Sequence, residues 1–298
     1  MIRRLPAAVA TVIVAALVAS GCSTFTKSRD AATISTTASS TSKCTGCTFS
    51  HTLSVKDFEA IAADLNPTAK QSGDIAGVEA RSVIQRWILA GATTAYFAGK
   101  GLQVTDADRA AAAAALQSSQ EGWSTYSAAT QQLLVSERAP QAAEYNAGLR
   151  KSGTACLKYL TFSDPAKAAA AAQQLAAGTT IDAVAAANGQ QNDVAADPTT
   201  QSECTPVGAS TLPTALFNAL LATPIGKPTD PVTVTSSTGP TTYIVLQRPY
   251  AEIAGSFNDV FTSQVTAGSQ TIVGNSKIFV DSRYGMWDPT TGTVVATR

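Results

Sequence analysis

The feature that most constrains this chain is a change of hydrophobic period near residue 153. Before it, apolar residues recur at helical spacing. Phe58, Ile61 and Leu65 fall at i, i+3 and i+7, and Ile84, Trp87, Ile88, Gly91 and Ala95 keep the same period. Six consecutive alanines, Ala110 to Ala115, add a segment of high intrinsic helicity. After residue 153, short strand-like runs alternate with short helices. A chain that holds both periods in long blocks is neither all-helical nor all-strand, and the expected class is α+β.

The first block, 48–152, opens with the strand-like Thr48-Phe49-Ser50-His51. Ser54-Val55-Lys56-Asp57 resembles a capping box, and Asn66-Pro67 stops the helix that follows. A longer helix is expected from about Gly73 to Gly99, and another after Thr105-Asp106-Ala107-Asp108. The last is read from Ser124, with Pro140 breaking or kinking it. The second block, 153–250, reads strand (Leu157–Phe162), helix capped by Asp164-Pro165 and ended by Gly178, then a short helix from Ile181 to Ala187. A polar loop leads to Cys204-Thr205-Pro206-Val207. A third helix over Leu212–Leu221 and a hairpin around Ser236–Gly239 complete it. The order is βααβαββ, which suits a small antiparallel sheet with helices. The remainder, 251–298, is too short for a domain. A helix capped by Ser256 and a strand over Lys277–Val280 are expected to pack on the helical block.

Charge and histidine content exclude several functions. Basic and acidic residues balance at 21 each, so no surplus points to nucleic acid. The single histidine, His51, removes any His-rich metal site and reads as a surface residue. Carboxylates are dispersed, and no phosphate loop, zinc-protease or serine-hydrolase motif stands in the chain. No cofactor and no metal are implied.

Residues 1–21 read as a secretory signal, with Arg3 and Arg4 before an apolar run. Its end, Val18-Ala19-Ser20-Gly21-Cys22, resembles a bacterial lipobox. That resemblance implies acylation of Cys22 and attachment to a membrane surface outside the cytoplasm, with the lipid bilayer as a partner. From Ser23 to Ser42, 12 of 20 residues are Ser or Thr, which reads as a flexible tether within 22–47. Cys44, Cys47, Cys156 and Cys204 remain, an even number in an oxidising compartment. Three connectivities are possible; Cys44–Cys47 with Cys156–Cys204 is preferred. Cys44-Thr45-Gly46-Cys47 also spells a CxxC, but it does not open a helix after a strand, so it reads as a local staple.

The second block resembles a parvulin-type peptidyl-prolyl isomerase domain. The residues that carry the likeness are Tyr159-Leu160-Thr161-Phe162, Ser163-Asp164-Pro165, Leu175 to Ala185, Leu212 to Leu216, Gly226 to Val232 and Tyr243-Ile244-Val245. The flanks, Thr48 to Leu65 and Val280 to Asp288, are similar to SurA-type extracytoplasmic chaperones. The resemblance implies a SurA-type helical body, completed by the C-terminal segment, with the parvulin-like unit inserted into it. It places Tyr159 and Tyr243 where the family carries histidines, and Leu212, Leu216 and Phe217 at peptide-binding pocket positions. Cys204 lies near the pocket strands without aligning to the family's Cys or Asp.

The function so implied is a membrane-anchored extracytoplasmic folding factor that binds exported, unfolded polypeptides, its parvulin-like unit weak or inactive. An active prolyl isomerase is one alternative. A scaffold lipoprotein in an envelope complex is the other.

Overall fold

The computed structural model describes residues 29–37, 48–66, 77–151, 154–189, 204–207, 212–255, 270 and 272–297. The signal segment, Cys22, Cys44, Cys47 and the helix expected after Ser256 lie outside these residues. In chain order the elements begin with β1 (Asp30–Thr37), β2 (Thr48–Ser54), α1 (Val55–Leu65), α2 (Gly77–Gly99), α3 (Asp106–Ser119) and α4 (Ala128–Ala147). Then come β3 (Thr154–Phe162), α5 (Pro165–Ala176), α6 (Ile181–Ala187), β4 (Cys204–Pro206), α7 (Thr214–Ala222), β5 (Val232–Ser236) and β6 (Gly239–Gln247). Three short strands close the chain: β7 (Lys277–Val280), β8 (Met286–Asp288) and β9 (Thr293–Val295). Helix and antiparallel sheet are both present throughout, an α+β architecture.

The largest correction falls on the tether. Residues 30–37 form β1, the central strand of a sheet ordered β2-β1-β7. Ile34 pairs with His51 on one side and Ile278 on the other. Ala31, Ala32 and Ile34 are all fully buried. A Ser/Thr-rich strand lacks a clear apolar period, yet its backbone pairs like any other, and Thr favours strands. Its small side chains also let the sheet lie close to α2. Gly91 of α2 sits directly over it, where an added Cβ would come within 2.9 Å of Phe49 and 3.7 Å of Ile34.

The helix caps follow local chemistry. Ser54 Oγ accepts the Asp57 amide at 3.0 Å. Thr105 and Asp108 form a reciprocal capping box. α4 starts three residues later than the sequence suggests. Ser127 caps it, because Trp123–Thr125 is taken up in a 3-10 turn. Asp64 at the end of α1 accepts from the Ser127 amide (2.6 Å) and the Thr130 hydroxyl (2.8 Å), tying α1 to the start of α4. Pro140 does not end this helix, which continues to Ala147. The residue is buried, and α1, α2 and α3 pack on this helix.

The second sheet has the order β4-β3-β6-β5. Alternation along β3 and β6 gives it two apolar faces. Leu160, Phe162 and Ile244 pack under α5 and α6, against Ala168, Ile181 and Val184. Leu157 and Val245 pack under α7, against Leu216 and Leu220. Gly178, at φ +94°, turns the chain from α5 toward α6 in a conformation that side chains resist.

The helical body and this sheet share a third apolar cluster. Tyr145, Phe97, Tyr250 and Ile253 surround Cys156 and Cys204, which are joined as a disulfide between paired positions of β3 and β4. Tyr145 Oη donates to the Arg248 carbonyl at 2.7 Å, and Tyr250 Oη donates to Gln141 Oε1 at 2.9 Å. Burial pushes both phenols up to about 12. The C-terminal segment covers α1 and α2. Tyr284 packs on Phe58 with ring centroids 4.3 Å apart, and Gln85 bonds both the Gly292 carbonyl (3.2 Å) and the Val294 amide (2.8 Å).

Candidate functional site

Two surfaces have the make-up of a binding site. The first is the α7 face of the second sheet. Tyr159 of β3 lies opposite Val245 of β6, and Tyr243 of β6 lies opposite Thr161 of β3. The two tyrosines therefore stand diagonally on one face, ~7–8 Å apart by sheet geometry. Leu212, Leu216 and Phe217 join the same apolar cluster, so the structure brings all five residues together. Leu216 is buried, whereas Tyr159, Tyr243, Leu212 and Phe217 remain partly open to solvent. Among the described residues, neither tyrosine hydroxyl bonds the other.

The chemistry available there is limited. The face offers apolar and aromatic surface for a ring-shaped side chain and two phenol O–H groups. It has no imidazole. Cys204 contributes nothing to it: its sulfur is bonded to Cys156, which points from β3 toward Tyr145 and Tyr250 on the opposite face. Lys158, also on that opposite face, is engaged by Asp182 at 2.7 Å.

The second surface is a cavity of about 370 Å³ in the helical body. Its wall combines His51, Thr52 and Leu53 of β2 with Trp87, Gly91 and Thr94 of α2. Gln132 and Ser136 of α4 face them, and Asp57 and Arg109 supply one charge of each sign. Both charges are engaged: Asp57 accepts from the Ser54 hydroxyl at 2.7 Å, and Arg109 donates to Asp106 at 3.2 Å. The volume suits a side chain or a small ligand. Sequence reasoning did not find this site, because its lining comes from five elements and carries no motif. His51, expected at the surface, is exposed and also lies on the cavity wall, with its ring 4.7 Å from Phe49.

Loss of hydration beside its neighbours lowers the His51 pKa from the ordinary 6.5. The unfolded chain then takes up a proton that the folded chain resists. Stability is full above pH 6.5 and falls as pH drops toward the folded-state value. An NMR titration of the His51 ring is expected to give a midpoint below 6.5. A midpoint at or above 6.5 would mean that lost hydration does not govern this ring.

Among the described residues, no group of three or more His, Cys, Asp and Glu is arranged to hold a metal ion. Among the same residues, no helix is long and apolar enough to cross a membrane.

No protein-family model and no curated protein matches the chain. Solved structures give distant likenesses. The foldase protein PrsA from Lactococcus lactis shares 15% identity over 89% of this chain and 100% of its own, with a TM-score of 0.27. The peptidylprolyl isomerase PrsA from Bacillus anthracis shares 13% over 64% of this chain and 93% of its own, at a TM-score of 0.25. The foldase protein PrsA from Streptococcus pneumoniae shares 12% over 75% and 88%, at 0.24. At these scores no residue of those proteins is mapped onto this chain.

Proposed function

We infer that this chain is a folding factor of the bacterial cell envelope, anchored through an acylated Cys22, that binds exported polypeptides while they are unfolded. The observation that carries this reading is the gathering of Tyr159, Tyr243, Leu212 and Phe217, all partly open to solvent, on one apolar sheet face. Such a face can hold a proline ring or another apolar side chain of an extended segment. The βααβαββ order and the resemblance of its sequence to parvulin-type domains support the same reading.

Prolyl isomerisation is expected to be slow or absent. The uncatalysed amide barrier is ~18–20 kcal/mol, and catalysis requires tighter binding of the twisted amide than of either planar form. Two phenols without an imidazole partner give few groups that could respond to that twist.

The test uses the soluble chain from Ser23 onward. It is expected to suppress aggregation of a chemically unfolded protein at stoichiometric ratios, and to leave the cis-to-trans rate of a short Xaa-Pro peptide near its uncatalysed value. Rate acceleration that vanishes in a Tyr159→Phe, Tyr243→Phe double variant would instead make the protein an enzyme with a rebuilt site. Failure to suppress aggregation, together with no acceleration, would remove the folding-factor reading.

A further inference from the structure

Among the described strands, β2 lies at an edge of its sheet. β1 pairs with one side of it, and no described strand pairs with the other. Successive side chains of a strand point to opposite faces, so a cavity lying over one face touches every second residue. The helical-body cavity is lined by three successive residues, His51, Thr52 and Leu53. It therefore meets main chain of β2 as well as side chains.

The pairing pattern indicates which groups are free. The Asp281 amide donates to the Ala31 carbonyl at 2.9 Å, so Ala31 addresses β7. By alternation, Thr33 and Ser35 also address β7, while Ile34 bonds its partner His51 in β2. The next residue of β2, Thr52, which also lines the cavity, then turns its N–H and C=O away from β1. An open row of this kind is a template for another strand. The side-chain wall is mixed: Ile61, Trp87 and Leu133 are apolar, and Thr94, Gln132 and Ser136 are polar. The single carboxylate and single guanidinium are opposite in sign and already partnered, so the lining favours neither an acidic nor a basic occupant.

We propose that the open edge of β2 takes an extended segment of an unfolded polypeptide as an added strand, with one uncharged side chain of that segment seated in the cavity. The proposal rests on the folding-factor reading and specifies what is recognised. Main-chain hydrogen bonds supply sequence-independent affinity, and the cavity supplies a preference for an uncharged side chain at one position.

The test uses the chain from Ser23 and three probes. One is a capped, fluorescent heptapeptide of alternating Val and Thr. The second is the same peptide N-methylated at its inner residues, which cannot donate main-chain hydrogen bonds. The third is reduced, carboxymethylated lysozyme, which stays unfolded. The heptapeptide is expected to bind, and N-methylation to weaken it tenfold or more. Thr52→Pro removes the outward N–H at a position where an edge strand tolerates proline. Gln132→Trp fills the cavity from an exposed site on α4. Each is expected to weaken the heptapeptide tenfold or more with little change in thermal midpoint. Equal binding of the N-methylated peptide would overturn the proposal. So would wild-type affinity in a folded Thr52→Pro variant, or strong protection of the Thr52 amide in the free chain, which would place a segment of this chain or a second copy on the edge. Should Thr52→Pro fail to fold, the N-methylated peptide and Gln132→Trp decide the matter. If lysozyme binds but the heptapeptide does not, the edge is not the client site, and the folding-factor reading stands. If neither binds, both fall.

Discussion

Replacing Ile34 by Asp is expected to unfold the helical body. Ile34 is fully buried in the central strand of the first sheet, between His51 of β2 and Ile278 of β7. Its side chain reaches the underside of α2 near Gly91. A carboxylate there would lose its hydration without a hydrogen-bonding partner, a cost of several kcal/mol against a total stability of only ~5–15 kcal/mol. The milder Ile34→Ala should cost about 2–5 kcal/mol, from lost transfer free energy and the cavity left behind. Urea unfolding measures this directly as a lower midpoint at unchanged slope. Were residues 30–37 a solvated tether, both substitutions would fall within about 0.5 kcal/mol of the parent. The contrast is large because the strand lies between two others, so one residue reports on the whole sheet.

Loss of the Cys156–Cys204 bond is expected to be the second large effect. The two cysteines lie 48 residues apart, and closing a loop of that length restricts the unfolded chain by ~4 kcal/mol in the chain-entropy model. The site also matters to the native state. Both sulfurs sit in the cluster that joins the helical body to the second sheet, among Tyr145, Phe97, Tyr250 and Ile253. Cys156 further anchors that junction through its carbonyl, which accepts the Arg248 amide at 2.8 Å. A Cys156→Ala, Cys204→Ala variant should therefore unfold at a clearly lower temperature. The parent chain in strong reductant should move toward the variant's midpoint, and the variant itself should not respond to reductant. A parent whose midpoint ignores reductant would mean that this bond does not contribute to stability. Coincidence of unfolding followed by tryptophan fluorescence and by backbone dichroism would show whether the two units still melt together.

The helices and the second sheet were legible because their signals are local. A capping residue accepts an amide two or three positions away, as Ser54, Thr105 and Asp164 do. A proline at the first helical position and a glycine just past the C-cap act within one turn, as Pro165 and Gly178 do. The amphipathic faces of α1 and the alternation of β3 and β6 are periods readable along a single segment. The clustering of Tyr159, Tyr243, Leu212, Leu216 and Phe217 was anticipated through a family resemblance, and the register of β3 against β6 is what places the tyrosines on one face.

The tether, the break at Pro140 and the cavity were misread or missed for the opposite reason. Composition alone gives residues 30–37 too little apolar surface to order themselves. They are ordered by β2, by β7 from near the far end of the chain, and by α2 lying over them. Pro140 weakens its own turn, but a helix packed against α1, α2 and α3 does not end there. The cavity beside β2 is lined from five elements and exists only after they pack. The sequence by itself determined the helices α1 to α7, the strands of the second sheet, the α+β class and the charge-neutral, histidine-poor chemistry, since these depend on neighbours within a few residues. Tertiary structure alone decided which described strand lies at the centre of the first sheet, which lie at its edges, and which side chains meet across it. Those outcomes depend on burial shared by residues more than two hundred positions apart, as in the pairing of Ile34 with Ile278, and no local pattern encodes it.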